Sequence, residues 1–89
     1  MAEKRHVLFY EYVADIVERR DPFRADHLAG IRADKEDGRI LEAGPLGDPP
    51  HGAAIVFVEP AAAEAFAQSD PYVTGGLVTG WRVEPWTLV

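Results

Sequence analysis

Apolar residues that recur with a period of two predict four strands along the chain. Residues 6–13, HVLFYEYV, are rich in β-branched and aromatic side chains, and residues 53–59, AAIVFVE, have a similar composition. Residues 39–46 and 77–89 predict the second and the fourth strand. The first and third strands are apolar on both faces, which indicates a sheet that is buried on both sides.

The segment after the first strand carries the helical period and ends at Gly38, a residue type that commonly closes a helix. Asp15 could cap its first turn. Asp21 and Pro22 offer a second start, with Asp as the N-cap and Pro at the first helical position. A helix that begins at Asp15 should therefore break near residue 21, because the residue before a proline avoids helical geometry.

A second helix is predicted for the Ala-rich segment PAAAEAFAQ, which opens at Pro60. Asp70-Pro71 is placed to cap and begin a further short turn, and Gly75-Gly76 should end it. Residues 44–52, GPLGDPPHG, hold three Gly and three Pro and predict a loop.

The order β-α-β-β-α-β predicts a single α+β domain over residues 1–89. Its expected fold is ferredoxin-like βαββαβ, a four-stranded antiparallel sheet with both helices on one face. The other face is also apolar, and at about 25 cal/mol per Å² leaving it in water would cost several kcal/mol. A second copy of the chain is the simplest cover, so we expect a homodimer through this sheet face.

Composition narrows the classes of partner and cofactor. The 89 residues include no Cys and carry a formal net charge of −6, which excludes disulfides and argues against nucleic acid or an anionic membrane as a partner. No apolar run approaches a transmembrane span and no signal peptide is recognisable, so a cytoplasmic protein is expected. No metal-binding or phosphate-loop motif is present, and we expect neither a metal nor a cofactor.

His27 is the residue that raises a chemical question. On a helical wheel it falls between Phe23 and Ile31, inside the apolar arc of the first helix. A structural histidine that is hydrogen-bonded nearby would explain this position, and so would an acid or base whose tautomer a partner fixes. Asp70 is the natural candidate partner, since the end of the second helix can approach the first helix in this topology, although Asp70 could equally be only a cap.

Several other side chains are candidates for ligand binding, each with a simpler alternative. Arg24 could bind an anionic substrate or belong to a solvated helix face. Tyr72 could contribute a hydroxyl or only pack, and Ser69 could cap the helix end. Together with Phe23 and Ile31 as an apolar lining, these residues form the expected substrate-binding set.

Short motifs in a fixed order resemble those of the YCII-related family of small bacterial proteins. The resemblance covers nearly the whole chain. Its motifs are Glu18 with Arg20, Arg24 with His27 and Leu28, Gly38-Arg39, Ala43-Gly44-Pro45, Asp70-Pro71-Tyr72 and Pro85-Trp86.

The resemblance implies a ferredoxin-like fold that pairs into a dimeric α+β barrel. It also implies that His27 and Asp70 face each other in a pocket as a catalytic dyad. We therefore expect a cofactor-independent enzyme, isomerase- or lyase-like, that uses this dyad for proton transfer on a small organic metabolite, aromatic-derived compounds included. A non-catalytic ligand-binding or sensor module with the same pocket, and a purely structural dyad, remain open alternatives.

Overall fold

Four strands form one antiparallel sheet in the order β2-β3-β1-β4 in the computed structural model, which describes residues 3–89. The strands are β1 (Lys4–Tyr12), β2 (Ile40–Leu46), β3 (Gly52–Phe57) and β4 (Val78–Thr87). The helices are α1 (Ile16–Arg19), α2 (Asp21–Glu36), α3 (Pro60–Ser69) and α4 (Pro71–Thr74). The predicted ferredoxin-like α+β fold is confirmed.

The predicted break in the first helix is present and separates α1 from α2 at Arg20. Asp21 is the first helical residue of α2, so its prediction as the N-cap was wrong by one position. Asp15 does precede α1, but its side chain makes no capping hydrogen bond and lies 3.5 Å from the Arg19 guanidinium instead. Pro22 occupies the first turn, where its missing N–H has no helical partner to lose.

Gly38 ends α2 as predicted, and its geometry explains why a glycine stands there. Its φ of 77° lies in the left-handed region that side chains with a Cβ avoid. Its N–H donates to the Lys35 carbonyl, while the N–H of Arg39 donates to the Asp34 carbonyl. This pair of bonds is the Schellman arrangement, and it turns the chain into β2.

The loop predicted over residues 44–52 is shorter than expected and covers only residues 47–51. Gly44, Pro45 and Leu46 continue β2, and Pro45 pairs with Ala53 in β3. The prediction failed because β2 is an edge strand, which needs ladder hydrogen bonds on one side only and therefore tolerates proline.

One face of the sheet carries the core and is covered by α2 and α3. Its largest fully buried side chains include Leu8 in β1 with Ile55 and Phe57 in β3. Ala63, Phe66 and Ala67 of α3 complete this cluster. A second, smaller cluster lies beside it and consists of Ile16, Tyr72 and Leu77, with Phe23 packed against it.

The other face of the sheet is not covered by any of the helices in residues 3–89. We call it the open face, and its apolar residues line a groove of about 390 Å³ formed by Val7, Phe9, Ala54, Val56 and Trp86 with Glu84 and Pro85. Trp86 is 50% exposed. Arg82 lies over the Phe9 ring at 4.5 Å and pairs with Glu84 at 3.0 Å.

No helix within residues 3–89 combines the length and the apolar character needed to cross a membrane.

Candidate functional site

His27 is the only buried residue of α2, and its side chain is 7% exposed. The rest of this helix is exposed or half-buried, which follows from its many charged residues. A helix that buries a single side chain would ordinarily bury a large apolar one, because apolar burial supplies the packing energy. The position of His27 therefore needs a polar partner inside the protein.

Asp70 is that partner, and it stands where α3 ends and α4 begins. Its side chain is fully buried. One carboxylate oxygen accepts from the backbone N–H of Tyr72 at 3.2 Å, which is the predicted cap. The His27 Nδ1 atom lies 2.8 Å from Oδ1 and 2.9 Å from Oδ2, and the Tyr10 hydroxyl donates to Oδ2 at 2.8 Å. Capping and pairing with His27 thus occur together, on the same carboxylate.

Two donors besides His27, the Tyr10 hydroxyl and the Tyr72 N–H, point at the Asp70 carboxylate, which is the arrangement that suits an anionic acceptor. An ionised carboxylate can only accept, so His27 Nδ1 must carry a hydrogen and donate it. In the neutral imidazole, Nε2 is then the unprotonated nitrogen with a free lone pair.

His27 Nε2 has no hydrogen-bond partner among residues 3–89. No fully buried side-chain nitrogen or oxygen in this part of the chain lacks a partner. The unpaired Nε2 atom is therefore not sealed inside the protein and keeps contact with the surrounding space. The ring thus presents Nδ1 to the buried Asp70 carboxylate, while Nε2 is unpaired and not fully buried.

Aromatic neighbours hold the plane of the imidazole ring. Tyr72 stacks on His27 with 3.7 Å between ring centroids and 5° between ring planes. Phe66 approaches from α3 with its ring tilted by 64° at 6.4 Å. The stack and the Asp70 hydrogen bond together leave the ring little freedom to rotate.

Tyr10 belongs to the site although its sequence context did not mark it. Burial, the Asp70 charge and the hydrogen bond to Asp70 together raise the pKa of the Tyr10 hydroxyl far above its ordinary value of 10. The hydroxyl is therefore a permanent donor to Asp70. The period of two placed Tyr10 on the same face as Leu8, but nothing in the sequence reveals which residue of another element its hydroxyl meets.

Tyr12 and Tyr72 lie in the same region. Burial raises the pKa of Tyr12 and, to a smaller extent, that of Tyr72. The guanidinium groups of Arg20 and Arg24 oppose this rise at Tyr72, and Arg20 does so at Tyr12. The two guanidinium groups therefore lie close enough to the tyrosines beside His27 to favour their ionised form.

Two cavities meet at His27, and we name them by position. The inner cavity, of about 280 Å³, lies between α2 and the sheet and is also lined by Arg24, Ile31 and Tyr72. The outer groove, of about 510 Å³, lies between α2 and α3 and is also lined by Asp70 and Ser69. The ring of His27 can thus be approached from two sides.

The expected substrate-binding residues divide between these locations. Arg24, Ile31 and Tyr72 share the inner cavity with His27. Ser69 lines only the outer groove, where its hydroxyl donates to the Ala65 carbonyl at 3.0 Å. Phe23 lines neither cavity, because it packs against the second core cluster.

Phe23 is turned away by a close packing contact with Gly75. A Cβ on Gly75 would stand 2.7 Å from the Phe23 ring, so this glycine is needed for the close approach of the two segments. The helical wheel placed Phe23 on the His27 side of α2, but it could not distinguish a wall of the cavity from the adjoining core.

The described part of the chain contains no group of three His, Cys, Asp or Glu side chains arranged to hold a metal ion.

Comparison with known proteins places this architecture in a family. The family model of the YCII-related domain matches residues 4–87. The chain belongs to the YCII-related family. The protein YciI of Escherichia coli is 33% identical, over 94% of this chain and 97% of the relative. YciI of Shigella flexneri matches with the same identity and coverage.

A solved structure supports the fold of this YCII-related protein from a greater evolutionary distance. It is the 5-chloro-2-hydroxyhydroquinone dehydrochlorinase of Burkholderia phenoliruptrix AC1100, in complex with 2,5-dihydroxybenzoquinone. The two chains superimpose with a TM-score of 0.74 over 92% of each, at 21% sequence identity. At this identity the likeness establishes a shared fold.

Proposed function

We propose that the protein is an enzyme that acts on a small molecule, in which His27 transfers a proton and Asp70 holds the His27 ring in position. One observation carries the proposal: Nδ1 of His27 bonds to a buried carboxylate at 2.8 Å, while Nε2 has no partner among residues 3–89 and is not sealed. A general base needs both a fixed tautomer and a free lone pair at the cavity. A histidine with a purely structural role gains nothing from leaving Nε2 unpaired.

The reaction step follows from this arrangement. Nε2 removes a proton from an acidic C–H or O–H of the bound molecule and becomes an imidazolium N–H. The charge formed on the ring is stabilised by Asp70, which stays ionised beside Nδ1. The imidazolium then returns the proton to another atom of the same molecule, or to water after a leaving group has departed with its electron pair.

Isomerisation and elimination both fit this sequence of steps. The structural neighbour named as a dehydrochlorinase supports elimination as one member of the class, since loss of HCl requires removal of a proton and departure of chloride. Because that neighbour is only 21% identical, its substrate serves as a probe for this protein rather than an assignment.

Proton transfer can be tested without knowledge of the net reaction. Purified protein in D₂O is mixed with a panel of small hydroxyquinols, unsaturated lactones and carboxylic acids that carry acidic C–H groups, and proton NMR follows exchange of those hydrogens. Chloride release from 5-chloro-2-hydroxyhydroquinone is measured in parallel. We expect His27→Gln to lower the observed rate by about 10²–10⁴-fold.

His51→Gln is the matched control, because His51 is exposed on the loop between β2 and β3. It should exchange at the wild-type rate. Asp70→Asn should retain the cap and lose the orienting charge, and so lower the rate. Exchange that persists in His27→Gln, or a panel ligand that raises the melting temperature without any exchange, would contradict the enzymatic role and favour a binding module.

We also propose that the functional form is a homodimer joined through the open face. Val7, Phe9, Ala54 and Val56 form an apolar surface on the side of the sheet that no helix covers. Val7 is buried within the chain, whereas Phe9, Ala54 and Val56 are half-buried and Trp86 beside them is 50% exposed. An apolar patch that stays partly accessible in a small domain marks an interaction site. Two copies of the same face can close on each other with twofold symmetry.

Sedimentation equilibrium tests the dimer. Val56→Glu puts a charge in the centre of the open face and should shift the protein to a monomer at micromolar concentration. Val17→Glu makes the same change on α1, where Val17 is 44% exposed, and should leave the mass unchanged. A wild-type protein that sediments as a stable monomer would refute the proposal.

A further inference from the structure

The inner cavity is positively charged in a protein that is acidic as a whole. The chain carries nine Lys and Arg against fifteen Asp and Glu. Four of those nine cations line this one cavity, namely Arg20, Arg24, Arg32 and Lys35, and no carboxylate is among its lining residues. A random surface of this protein would show the opposite balance.

Most of the cations outside the cavity form ion pairs, whereas the cations that line it do not within residues 3–89. Five cations lie outside the inner cavity. Arg5, Arg19, Arg39 and Arg82 each have a carboxylate within 3.5 Å, and only Lys4 has none among residues 3–89. Within residues 3–89, none of the four cavity cations has a carboxylate within ion-pair distance. The positive charge at the cavity is therefore not neutralised by the protein itself.

The helix explains how these cations come together. Arg20, Arg24 and Arg32 are spaced at multiples of four residues, so they follow one side of α2 from its start. Leu28 occupies the missing position of this series and lines the same cavity. The stripe thus places charge at both ends and an apolar side chain between them.

The deeper walls of the cavity are apolar. Ile31 of α2 faces it together with Ala53 and Ile55 of β3 and Ala43 of β2. Tyr72, whose ring stacks on His27, also lines this cavity. The volume of about 280 Å³ suits a small ligand with an apolar body.

From these features we propose that the inner cavity binds a small organic carboxylate, with its carbon skeleton between α2 and the sheet and its carboxylate against Arg20 and Arg24. The inference rests on the proposed function, because it names the substrate class of the same site. A guanidinium can engage a carboxylate through two parallel hydrogen bonds, which would fix the ligand in one orientation. Anchored in this way, the body of the ligand extends towards His27.

Benzoate and benzamide form the probe pair, because they share a flat ring and differ mainly in charge. Binding of each is measured by NMR titration of the wild-type protein. We expect benzoate to bind about tenfold or more tightly than benzamide, as charge-assisted pairing requires. The double variant Arg20→Gln/Arg24→Gln should lose about tenfold of the benzoate affinity and leave benzamide binding unchanged.

Arg19→Gln is the matched control, since Arg19 is adjacent to Arg20, equally charged, and paired with Asp15 outside the cavity. It should keep the wild-type affinity for benzoate. The proposal is overturned if benzoate and benzamide bind equally, if Arg19→Gln weakens benzoate as much as the double variant, or if inorganic phosphate competes as strongly as benzoate does.

The two proposals fail in distinguishable ways. Arginine-dependent benzoate binding without any His27-dependent exchange in the panel would refute proton transfer and leave the carboxylate site standing. His27-dependent exchange confined to neutral molecules, with no preference for benzoate, would refute the carboxylate site and leave proton transfer standing.

Discussion

The two faces of the sheet use polar residues in opposite ways. On the helix-covered face, the buried polar side chains among residues 3–89 are those of the His27–Asp70 pair and the tyrosines around it, and each fully buried polar atom there has a hydrogen-bond partner. On the open face, Arg82 and Glu84 form an exposed ion pair beside apolar residues that water still reaches.

This difference separates two tasks that one small sheet performs. The covered face forms its core within a single chain, and a histidine, an aspartate and a tyrosine make up part of that core. The open face leaves Phe9, Val56 and Trp86 partly accessible, and these are the side chains that the proposed dimer would cover. Substitutions on the first face should therefore act on folding and chemistry, and those on the second on assembly.

Adjacent residues of β3 give the largest expected contrast. Phe57 is fully buried on the covered face, whereas Val56 is half-buried on the open face. Phe57→Ala should lower the free energy of unfolding by about 3–5 kcal/mol, because it leaves a cavity in the core. Val56→Ala should cost about 1 kcal/mol or less in the monomer and should mainly weaken association.

Urea unfolding at several protein concentrations distinguishes the two effects. The loss in Phe57→Ala should be the same at every concentration, while the effect of Val56→Ala should depend on concentration through the dimer. A concentration-independent loss for Val56→Ala as large as that for Phe57→Ala would show that the two faces are equally part of the monomer core.

The hydroxyl of Tyr10 gives the next effect in size. Tyr10→Phe removes one donor from the buried Asp70 carboxylate and should lower the free energy of unfolding by about 1.5–3 kcal/mol. Tyr12→Phe is the matched control, because the Tyr12 hydroxyl has no hydrogen-bond partner among residues 3–89. It should cost about 0.5 kcal/mol or less in a urea melt. Equal losses in the two variants would contradict the role of Asp70 as acceptor.

Alkaline pH gives a third test of the covered face, where all three tyrosines lie. The pKa of Tyr10 and of Tyr12 is raised in the folded protein, so the unfolded chain releases these protons first. Their contribution to stability is complete below the unfolded pKa near 10 and is lost as pH rises above it. Each tyrosine should lower the free energy of unfolding by about 1.4 kcal/mol per pH unit in that range.

Urea unfolding between pH about 9 and about 11 checks this slope, with tyrosinate absorbance as the readout of ionisation. Tyr10→Phe and Tyr12→Phe should each make the loss shallower. A slope that neither variant changes would show that Tyr10 and Tyr12 do not cause the alkaline sensitivity.

Much of the fold could be predicted because its signals are local. The period of two in β1 and β3, the break at Pro22 and the glycine at 38 each act on their own segment. The end of β2 could not be predicted, since Pro45 is acceptable only in an edge strand, and edge position is a property of the whole sheet.

In the candidate site, too, residues with a local sequence signal could be predicted and residues placed by long-range contacts could not. His27 stood out because a helical wheel shows a polar ring among apolar positions, and Asp70 because Asp-Pro is a capping signal. Tyr10 could not be found, because its contact with Asp70 joins residues sixty positions apart. Phe23 was misplaced by the same limitation, since only the packing against Gly75 turns it from the cavity to the core.

Arg82 gives the smallest expected effect and tests the open face from its polar side. In the monomer, Arg82 is exposed, and both its pairing with Glu84 and its contact with the Phe9 ring are weakened by water. Arg82→Gln should therefore lower the free energy of unfolding by about 1 kcal/mol or less in dilute protein, where the monomer dominates.

At high protein concentration the same substitution distinguishes two arrangements of the proposed dimer. If the partner covers Arg82, the pair loses water and removal of one charge leaves Glu84 unpaired, so Arg82→Gln should weaken association markedly. If Arg82 stays at the rim, association should be nearly unchanged and only its salt dependence should shift. Sedimentation equilibrium at low and high salt distinguishes the two outcomes. A large loss of monomer stability would instead show that Arg82 is already buried within a single chain.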